Sequence, residues 1–346
     1  MGGGQLGRML ALAAARLGFD VAILTPEPDS PASRVAFRTI VAEYQDKNAL
    51  AALAEISHVI TFEFENVPAD ALQELARLGA SVAPNARALA IAQDRVEEKT
   101  FLNGAGIATV PFAAVDSLAD LQAALRRLGA PLLLKTRRGG YDGKGQAWVQ
   151  RADEAAPALA AIGHHPAIAE APADFRREVA VIAARGRDGE IALYPLTESH
   201  HENGVLRRTS APAKASPRVT AEAERITATL LAALDYVGVI GVELFERDDG
   251  RVLVNEFAPR VHNTGHWTLD GCEVDQFEQH IRAIAGWPLG PAHALAHVEM
   301  TNLLGDEVNR WPRLAHEAET RLWLYGKREA RPGRKMGHVN RLRRLD

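Results

Sequence analysis

Cysteine is almost absent from this chain: one residue, Cys272, in 346. A single thiol excludes an intramolecular disulfide framework and fits a reducing compartment. It has no basic neighbour in the sequence to activate it, so it reads as a small buried or partly buried side chain. Long apolar runs are missing too. None approaches the roughly 18 residues that a membrane helix requires. "GRMLALAAARLG" lacks the charged start of a signal segment and reads as an amphipathic helix after a glycine turn. A net charge of -4 and a pI near 6.3 exclude a surface-wide basic footprint for nucleic acid. Lysine is the third scarcity. Of 40 basic residues only seven are lysine, at positions 47, 99, 135, 144, 214, 327 and 335. A lysine kept in a glycine-rich or basic motif is therefore informative, although Lys47 and Lys214 lie in ordinary polar stretches. The default is a cytoplasmic enzyme or binding protein with neither a nucleic acid nor a membrane as partner.

What is present is enough apolar residue, 47%, for a sizeable core in two or three domains. Residues 1–84 alternate short apolar runs with helical segments: "GFDVAILTPE" as strand, "ALAALAEIS" as helix, "HVITFEFENVP" as strand and loop, "DALQELARLG" as helix. That rhythm predicts βαβ units and a parallel sheet. "GGGQLGRM" has the composition of a turn between a first strand and a first helix, yet it begins at Gly2. A strand is expected before it, so the reading anticipates an unfilled slot and a chain that starts late. From about 85 to 115 the sequence reads as a charged helix and a glycine-broken linker. "SLADLQAALRRLG" follows as an amphipathic helix with Ser117 and Asp120 spaced like a capping box. Beyond it come hairpins and one long helix, "TAEAERITATLLAALDYVG". The change of rhythm predicts a domain boundary near residues 85 to 100.

Two hairpins hold most of the chemistry. "LLLKTRRGGYDGKGQAWV" places Lys135, Arg137, Arg138 and Lys144 among Gly139, Gly140, Gly143 and Gly145 between two apolar runs. Glycines let backbone N–H groups approach anionic oxygens, and lysine acts on phosphate as a point charge; an exposed basic turn is the plain alternative. In "GVELFERDDGRVLVNEF", Asp249-Gly250 predicts a two-residue turn. Asp248 then faces Arg251, and Glu243 stands directly opposite Glu256. Like charges facing across a ladder destabilise it, and burial among apolar neighbours aggravates the conflict. A divalent cation removes it, and oxygen ligands suit magnesium; solvated glutamates on an edge hairpin are the alternative. Asn255 adds a polar neighbour. Beyond that strand, "APRVHNTGHW" concentrates Arg260, His262, Asn263 and His266. "LYGKREARPGRKMGH" gathers Lys327, Arg328, Arg331, Arg334 and Lys335, either as a solvated tail or as a discrete phosphate site. His200-His201 lacks helical metal-ligand spacing and is not read as a zinc site.

Taken in order, "GGGQLGRM", "FEFENVP", "GGYDGKGQ", "YPLTE", "NEFAPRVHNTGHWT" and "RPGRKMGH" resemble the 5-(carboxyamino)imidazole ribonucleotide synthases, ATP-grasp ligases of purine biosynthesis. The likeness runs from Gly2 to about His338. It implies an α/β fold of the α+β ATP-grasp kind: an N-terminal Rossmann-like parallel-sheet domain over 1–84, a linker helix and lid over 85–170, a C-lobe over 171–286, and a closing subdomain over 287–346. It also implies that ATP, bicarbonate and 5-aminoimidazole ribonucleotide give the N-carboxylated ribonucleotide, ADP and phosphate through carboxyphosphate, in a homodimer. ATP contacts would be Arg95, Lys135, the loop Gly140, Tyr141, Asp142, Gly143, Lys144, Gly145 and Gln146, then Glu170, Glu178, His201, Asn255 and Glu256. Two magnesium ions, with manganese as a substitute, would sit on Glu243 and Glu256. The ribonucleotide would lie among Gln5, Leu6, Glu65, Asn263, Lys327, Arg334 and Lys335. Tyr141, Asp142, Lys144, Arg260 and His262 would hold bicarbonate, carboxyphosphate and the amine, with Asp142 orienting or deprotonating the amine.

Two departures stand out. Lys144 occupies a position where the family usually has arginine, so a bidentate contact becomes a point contact. Weaker retention of carboxyphosphate and more uncoupled ATP hydrolysis are expected, and Lys144→Arg should lower the ADP formed per carboxylated product. "EAPADF" after Glu170 also differs from the usual hinge, which leaves side-chain contacts at Pro172 or Ala173 unassigned. The rival readings are a formate-using glycinamide ribonucleotide ligase, a nicotinamide oxidoreductase and a catalytically silent nucleotide-binding protein.

Overall fold

Helices begin where a side chain can take up the free N–H groups of a first turn. Asp46, Asn85, Asp94, Ser117, Ser216 and Asp275 all accept from backbone N–H groups two or three residues on, each cap contributing about 1 kcal/mol. The computed structural model describes residues 1–140 and 143–344.

The first region holds α1 (Gln5–Arg16), β1 (Ala22–Thr25), β2 (Arg38–Val41), α2 (Lys47–Ile56) and α3 (Ala69–Arg77). β1 and β2 pair in parallel. "HVITFEF" does not form the expected strand; it makes one parallel bridge, Ile60 to Val82. Between it and β1 run Met1 and Gly2, with Gly2 N–H donating to the Leu24 carbonyl at 3.0 Å and Glu63 N–H donating to the Met1 carbonyl at 3.1 Å. That ladder is too short to count as a strand. The expected single charged helix is two, α4 (Ala86–Ala92) and α5 (Arg95–Gly104), because Asp94 ends one and caps the next.

A four-stranded antiparallel layer follows, built from β3 (Phe112–Val115), α6 (Leu118–Leu128), β4 (Leu132–Thr136), β5 (Gln146–Val149), α7 (Ala155–Ala161) and β6 (Ala167–Glu170), in the order β3-β6-β4-β5. The remaining strands are β7 (Arg177–Arg185), β8 (Ile191–Leu193), β9 (Thr197–Glu202), β10 (Val205–Ala211), β11 (Gly238–Glu246), β12 (Val252–Ala258), β13 (Ala296–Leu304), β14 (Thr320–Leu324) and β15 (Lys335–Arg344). They form one antiparallel sheet, ordered β12-β11-β7-β9-β10-β13-β15-β14 with β8 on β7. The helices of this half are α8 (Pro217–Ala233), α9 (Thr268–Gly271), α10 (Gln276–Ala285) and α11 (Trp311–Leu314). The architecture is the expected mixed α/β one.

Side-chain alternation divides the large sheet. Ile240, Val242 and Leu244 of β11 pack with Val219, Ile226 and Leu230 of α8, which turns Gly241 and Glu243 to the opposite face. On that side Leu6, Met9 and Leu10 of α1 share one core with Ile182, Val261, Trp267, Phe277 and Tyr325. The first helix is thus seated on the C-terminal half, in one core with Val261 and Trp267. Among the described residues no helix is long and apolar enough to cross a membrane.

Candidate functional site

The β11–β12 hairpin reaches the expected pairing by an unexpected route. The turn has three residues, 248 to 250, not two. Arg247 N–H donates to the Arg251 carbonyl and Gly250 N–H to the Arg247 carbonyl, both at 2.9 Å. Gly250 takes φ +76°, the left-handed position that closes such a loop. Asp248 therefore does not face Arg251. The register runs one residue out, with Glu246 opposite Val252 and Leu244 opposite Val254, until an irregularity at Asn255 restores it. Glu243 then lies directly opposite Glu256. Two single-residue departures cancel, and the second is a bulge.

The conflict between the two carboxyls is visible in their acidities. Burial and the Glu256 charge push Glu243 up to about 7. Burial acts on Glu256 in the same sense, but Arg95 outweighs it and holds that carboxyl down at about 2. Arg95 Nη1 donates to Glu256 Oε2 at 2.7 Å and Nη2 to the Gly140 carbonyl at 3.2 Å. The Glu256 side chain keeps 39% of its exposure, so the pair remains open to a ligand. His262 stands on the other side, its Nδ1 3.8 Å from Glu243 and 2.8 Å from Thr264 Oγ1. It fits there because residue 241 is glycine: a Cβ on Gly241 would lie 2.5 Å from that of His262. Burial, with Arg260 and Lys335 nearby, drops His262 to about 3, so the ring is neutral near pH 7. His201 hydrogen-bonds Glu178 through Nδ1. Burial lowers its basicity, but Glu178 and Glu243 outweigh that and raise it.

The glycine-rich hairpin sits beside this pair. Lys135 Nζ donates to Glu170 Oε2 at 2.7 Å. Against the burial of Glu170, Lys135 and Lys99 keep its carboxyl below the usual range. Arg137 and Arg138 do not project into the cleft as free cations. Both bind Asp94, through Nε at 3.0 and 3.2 Å, and so anchor the hairpin to α5. Gly145 packs on Thr136, and Gly143 lies against Asn203 of the β9–β10 turn. Gln146 pairs with Lys135 across the ladder, and Lys144 is exposed. Tyr141 and Asp142 lie outside the described residues.

On the far side of His262 a second set gathers. Arg260 Nη2 is 2.8 Å from Glu65 Oε1. Both amide atoms of Asn263 are buried with no protein partner among the described residues, a cost of about 1–3 kcal/mol per group unless something else bonds them. Lys327 Nζ donates to the Lys335 carbonyl at 2.7 Å and Arg334 Nη1 to the Glu329 carbonyl at 3.0 Å. Burial and Arg334 pull Lys327 down to about 8. Arg34 ties this loop to the first region through the Gly326 carbonyl at 2.7 Å. The basic segment is the loop between β14 and β15: Arg328 and Arg331 are exposed, whereas Lys327, Arg334 and Lys335 are half-buried. Gln5 starts α1, while Leu6 is part of the core and has chiefly its backbone to offer.

Four residues in these clusters escape a reading of the sequence. Glu63 receives Gly4 N–H at 2.7 Å and Gly7 N–H at 3.1 Å, so a carboxylate of the chain itself fills the anion-binding end of α1. Asp94 gathers two arginines. Glu98, which burial and Glu256 push up to about 8, accepts Phe257 N–H at 2.7 Å. Lys99 donates to the Asn255 carbonyl at 2.9 Å. Lysine scarcity is the one signal that could have found Lys99; the others look like ordinary acidic residues.

Among the described residues no three His, Cys, Asp or Glu side chains form a metal cage. Magnesium does not need one. It is commonly held by one or two carboxylates plus substrate phosphates, and Glu243, Glu256 and Asn255 supply such a partial set. The arrangement is a carboxylate pair with Arg95 and Lys135 on one side and, beyond a neutral histidine, a second group of cationic side chains.

Comparison with known proteins shows the family. Three family models cover most of the chain: a ribonucleotide synthetase preATP-grasp domain over residues 1–93, an ATP-grasp domain over 100–277 and a phosphoribosylaminoimidazole carboxylase C-terminal domain over 299–344. The N5-carboxyaminoimidazole ribonucleotide synthase of Brucella melitensis is 53% identical over 346 residues, spanning 99% of this chain and 95% of that one. The crystal structure of the Thermus thermophilus synthetase superposes with a TM-score of 0.92 at 44% identity, covering 99% and 92%. An Aspergillus clavatus synthase in complex with ADP and 5-aminoimidazole ribonucleotide superposes with a TM-score of 0.92 at 32% identity, covering 99% and 93%. With the opposed carboxylates and flanking cationic sites already placed by its own fold, this chain belongs to the N5-carboxyaminoimidazole ribonucleotide synthase family of ATP-grasp enzymes.

Proposed function

We propose that this protein carboxylates 5-aminoimidazole ribonucleotide on its exocyclic amine, consuming ATP and bicarbonate and releasing ADP and phosphate. The observation that carries the reading is Glu243 opposite Glu256, with Arg95, Lys135 and Glu170 on one side and Arg260, His262 and Lys335 on the other.

Bicarbonate is a poor electrophile because hydroxide leaves badly. An oxygen of bicarbonate attacks the γ-phosphorus of ATP and ADP leaves, giving carboxyphosphate. The ribonucleotide amine then attacks the carboxyl carbon, phosphate leaves and the amine loses a proton. The first step needs positioning and charge neutralisation more than covalent help. Lys135 and the loop 140–146 would supply part of this, with Glu170, Glu178 and His201 orienting the nucleotide. Two magnesium ions held by Glu243, Glu256 and Asn255 would neutralise the charge that grows between the phosphates. Arg260, paired with Glu65, would help hold the carboxyl group. Neutral His262 can accept or donate a hydrogen bond there without adding charge. Lys327, Arg334 and Lys335 would take the ribonucleotide phosphate, with Gln5, Glu65 and Asn263 around the rest of it. Tyr141 and Asp142 keep the roles the resemblance gives them. The reading places the protein in the cytoplasm as a homodimer, with the chain divided at about 84, 170 and 286.

The test is ADP release with bicarbonate present, with and without 5-aminoimidazole ribonucleotide. Strong stimulation by this ribonucleotide is expected, with none from glycinamide ribonucleotide and formate. Equal ADP release in all arms overturns the assignment of substrate.

A further inference from the structure

The strand that carries Glu256 is the edge of its sheet, and an edge leaves backbone groups to be satisfied by something other than a neighbouring strand. Here that something is mostly α5. Val254 N–H donates to the Ala108 carbonyl at 2.9 Å. The Asn255 carbonyl accepts from Lys99 Nζ at 2.9 Å, and Phe257 N–H donates to Glu98 at 2.7 Å. The residues on both sides of Glu256 are therefore clamped by adjacent residues of one helix. A bulge has no ladder bonds of its own to define it, so the conformation at Asn255 depends on what holds its carbonyl.

Lys99 has a second contact. Its Nζ lies 3.2 Å from Glu170 Oε1, while Glu170 Oε2 receives Lys135 at 2.7 Å. Glu170 ends β6 in the four-stranded layer, so one ammonium is shared between that layer and the bulge of the large sheet. It is 1% exposed. A compact charge with three donors fits between a carbonyl and a carboxylate, where the planar fork of arginine has the wrong shape. Any displacement that draws Glu170 away leaves a buried cation with one neutral partner, and this is strongly unfavourable.

We propose that Lys99 is a positioning residue that couples the seating of the lid on a nucleotide to the geometry of the Glu243–Glu256 pair, so that nucleotide and divalent cation bind cooperatively. It rests on the reading above, in which those carboxylates serve a cation bound to the nucleotide. Coupling of this kind is reciprocal: the cation tightens the nucleotide as much as the nucleotide tightens the cation.

Calorimetric titration of a non-hydrolysable ATP analogue, in excess Mg2+ and in EDTA, tests this on wild type and Lys99→Met. In the variant the gain in affinity brought by Mg2+ should shrink about tenfold, the range seen when a partner behind a metal ligand is lost. Affinity in EDTA should change by less than about threefold, because the residues facing the nucleotide remain. A merely structural lysine would lower the melting temperature and the fraction of competent sites, yet leave the Mg2+ gain per site as in wild type; that result overturns the proposal. Should Lys99→Met fail to fold, Lys99→Arg keeps the charge, and a wild-type Mg2+ gain in that variant overturns it equally. If wild type itself shows no Mg2+ gain, the metal reading of the carboxylate pair fails and takes this coupling with it; loss of the gain in the variant alone supports both.

Discussion

Glu256→Gln is expected to lower the turnover of ribonucleotide carboxylation by about a thousandfold, equivalent to about 4 kcal/mol of transition-state stabilisation. The amide keeps the shape of the side chain but removes the charge that would hold a cation against the phosphates and that pairs with Arg95. Steady-state kinetics with saturating nucleotide measures it; turnover within tenfold of wild type would remove Glu256 from the centre of the reaction. Glu243→Gln should be equally damaging to turnover and opposite in its effect on stability. In the nucleotide-free protein Glu243 is pushed up to about 7 by burial and by Glu256, against an ordinary value of 4.5. A carboxyl whose acidity is weakened on folding contributes stability at low pH that is lost as pH rises through 4.5 to about 7. Glutamine mimics the protonated form and has nothing to lose. The variant should therefore melt near wild type at pH 5 and above it at pH 8, and equal melting at both would show that the two charges are not in conflict.

Lys327→Met should raise KM for the ribonucleotide about 30-fold with a much smaller change in kcat, the effect of removing one charge-assisted contact of about 2 kcal/mol. The same lysine predicts a pH dependence. Burial and Arg334 bring it to about 8, so the free enzyme loses this positive charge as pH rises past 8. A bound phosphate favours the charged form and shifts the titration upward. Consequently kcat/KM for the ribonucleotide should fall above pH 8 while kcat stays level, since the two report the free and the bound enzyme. Lys327→Arg should abolish the fall, because guanidinium does not titrate there. A decline that persists in the arginine variant would assign it to another group.

Much of this arrangement is legible in the sequence. The glutamate pair followed from strand alternation and a turn signal, both local properties of the chain. Even so, the count passed through a turn that does not form and survived because the bulge at Asn255 offset it. The glycine hairpin was equally visible, yet its composition does not sort its four cations: Arg137 and Arg138 hold Asp94. Nothing local in "TRRGG" distinguishes an arginine that faces a ligand from one that anchors a helix 43 or 44 residues away.

The residues missed entirely share that character. Lys99 and Asn255 are 156 positions apart, Glu98 and Phe257 159, and Glu63 reaches the first glycine turn across 59. Each acts through one contact formed only after separate layers have docked. By itself the sequence determined the alternation of elements, the glycine turns, the paired carboxylates and the family likeness, because periodicity and turn chemistry are settled by neighbours along the chain. The tertiary structure alone decided which charges are engaged internally, which carboxyl is weakened and which strengthened, and which lysine joins two sheets. Those properties depend on the nearest partner in space and on how much water each group gives up, and neither is written in the order of residues.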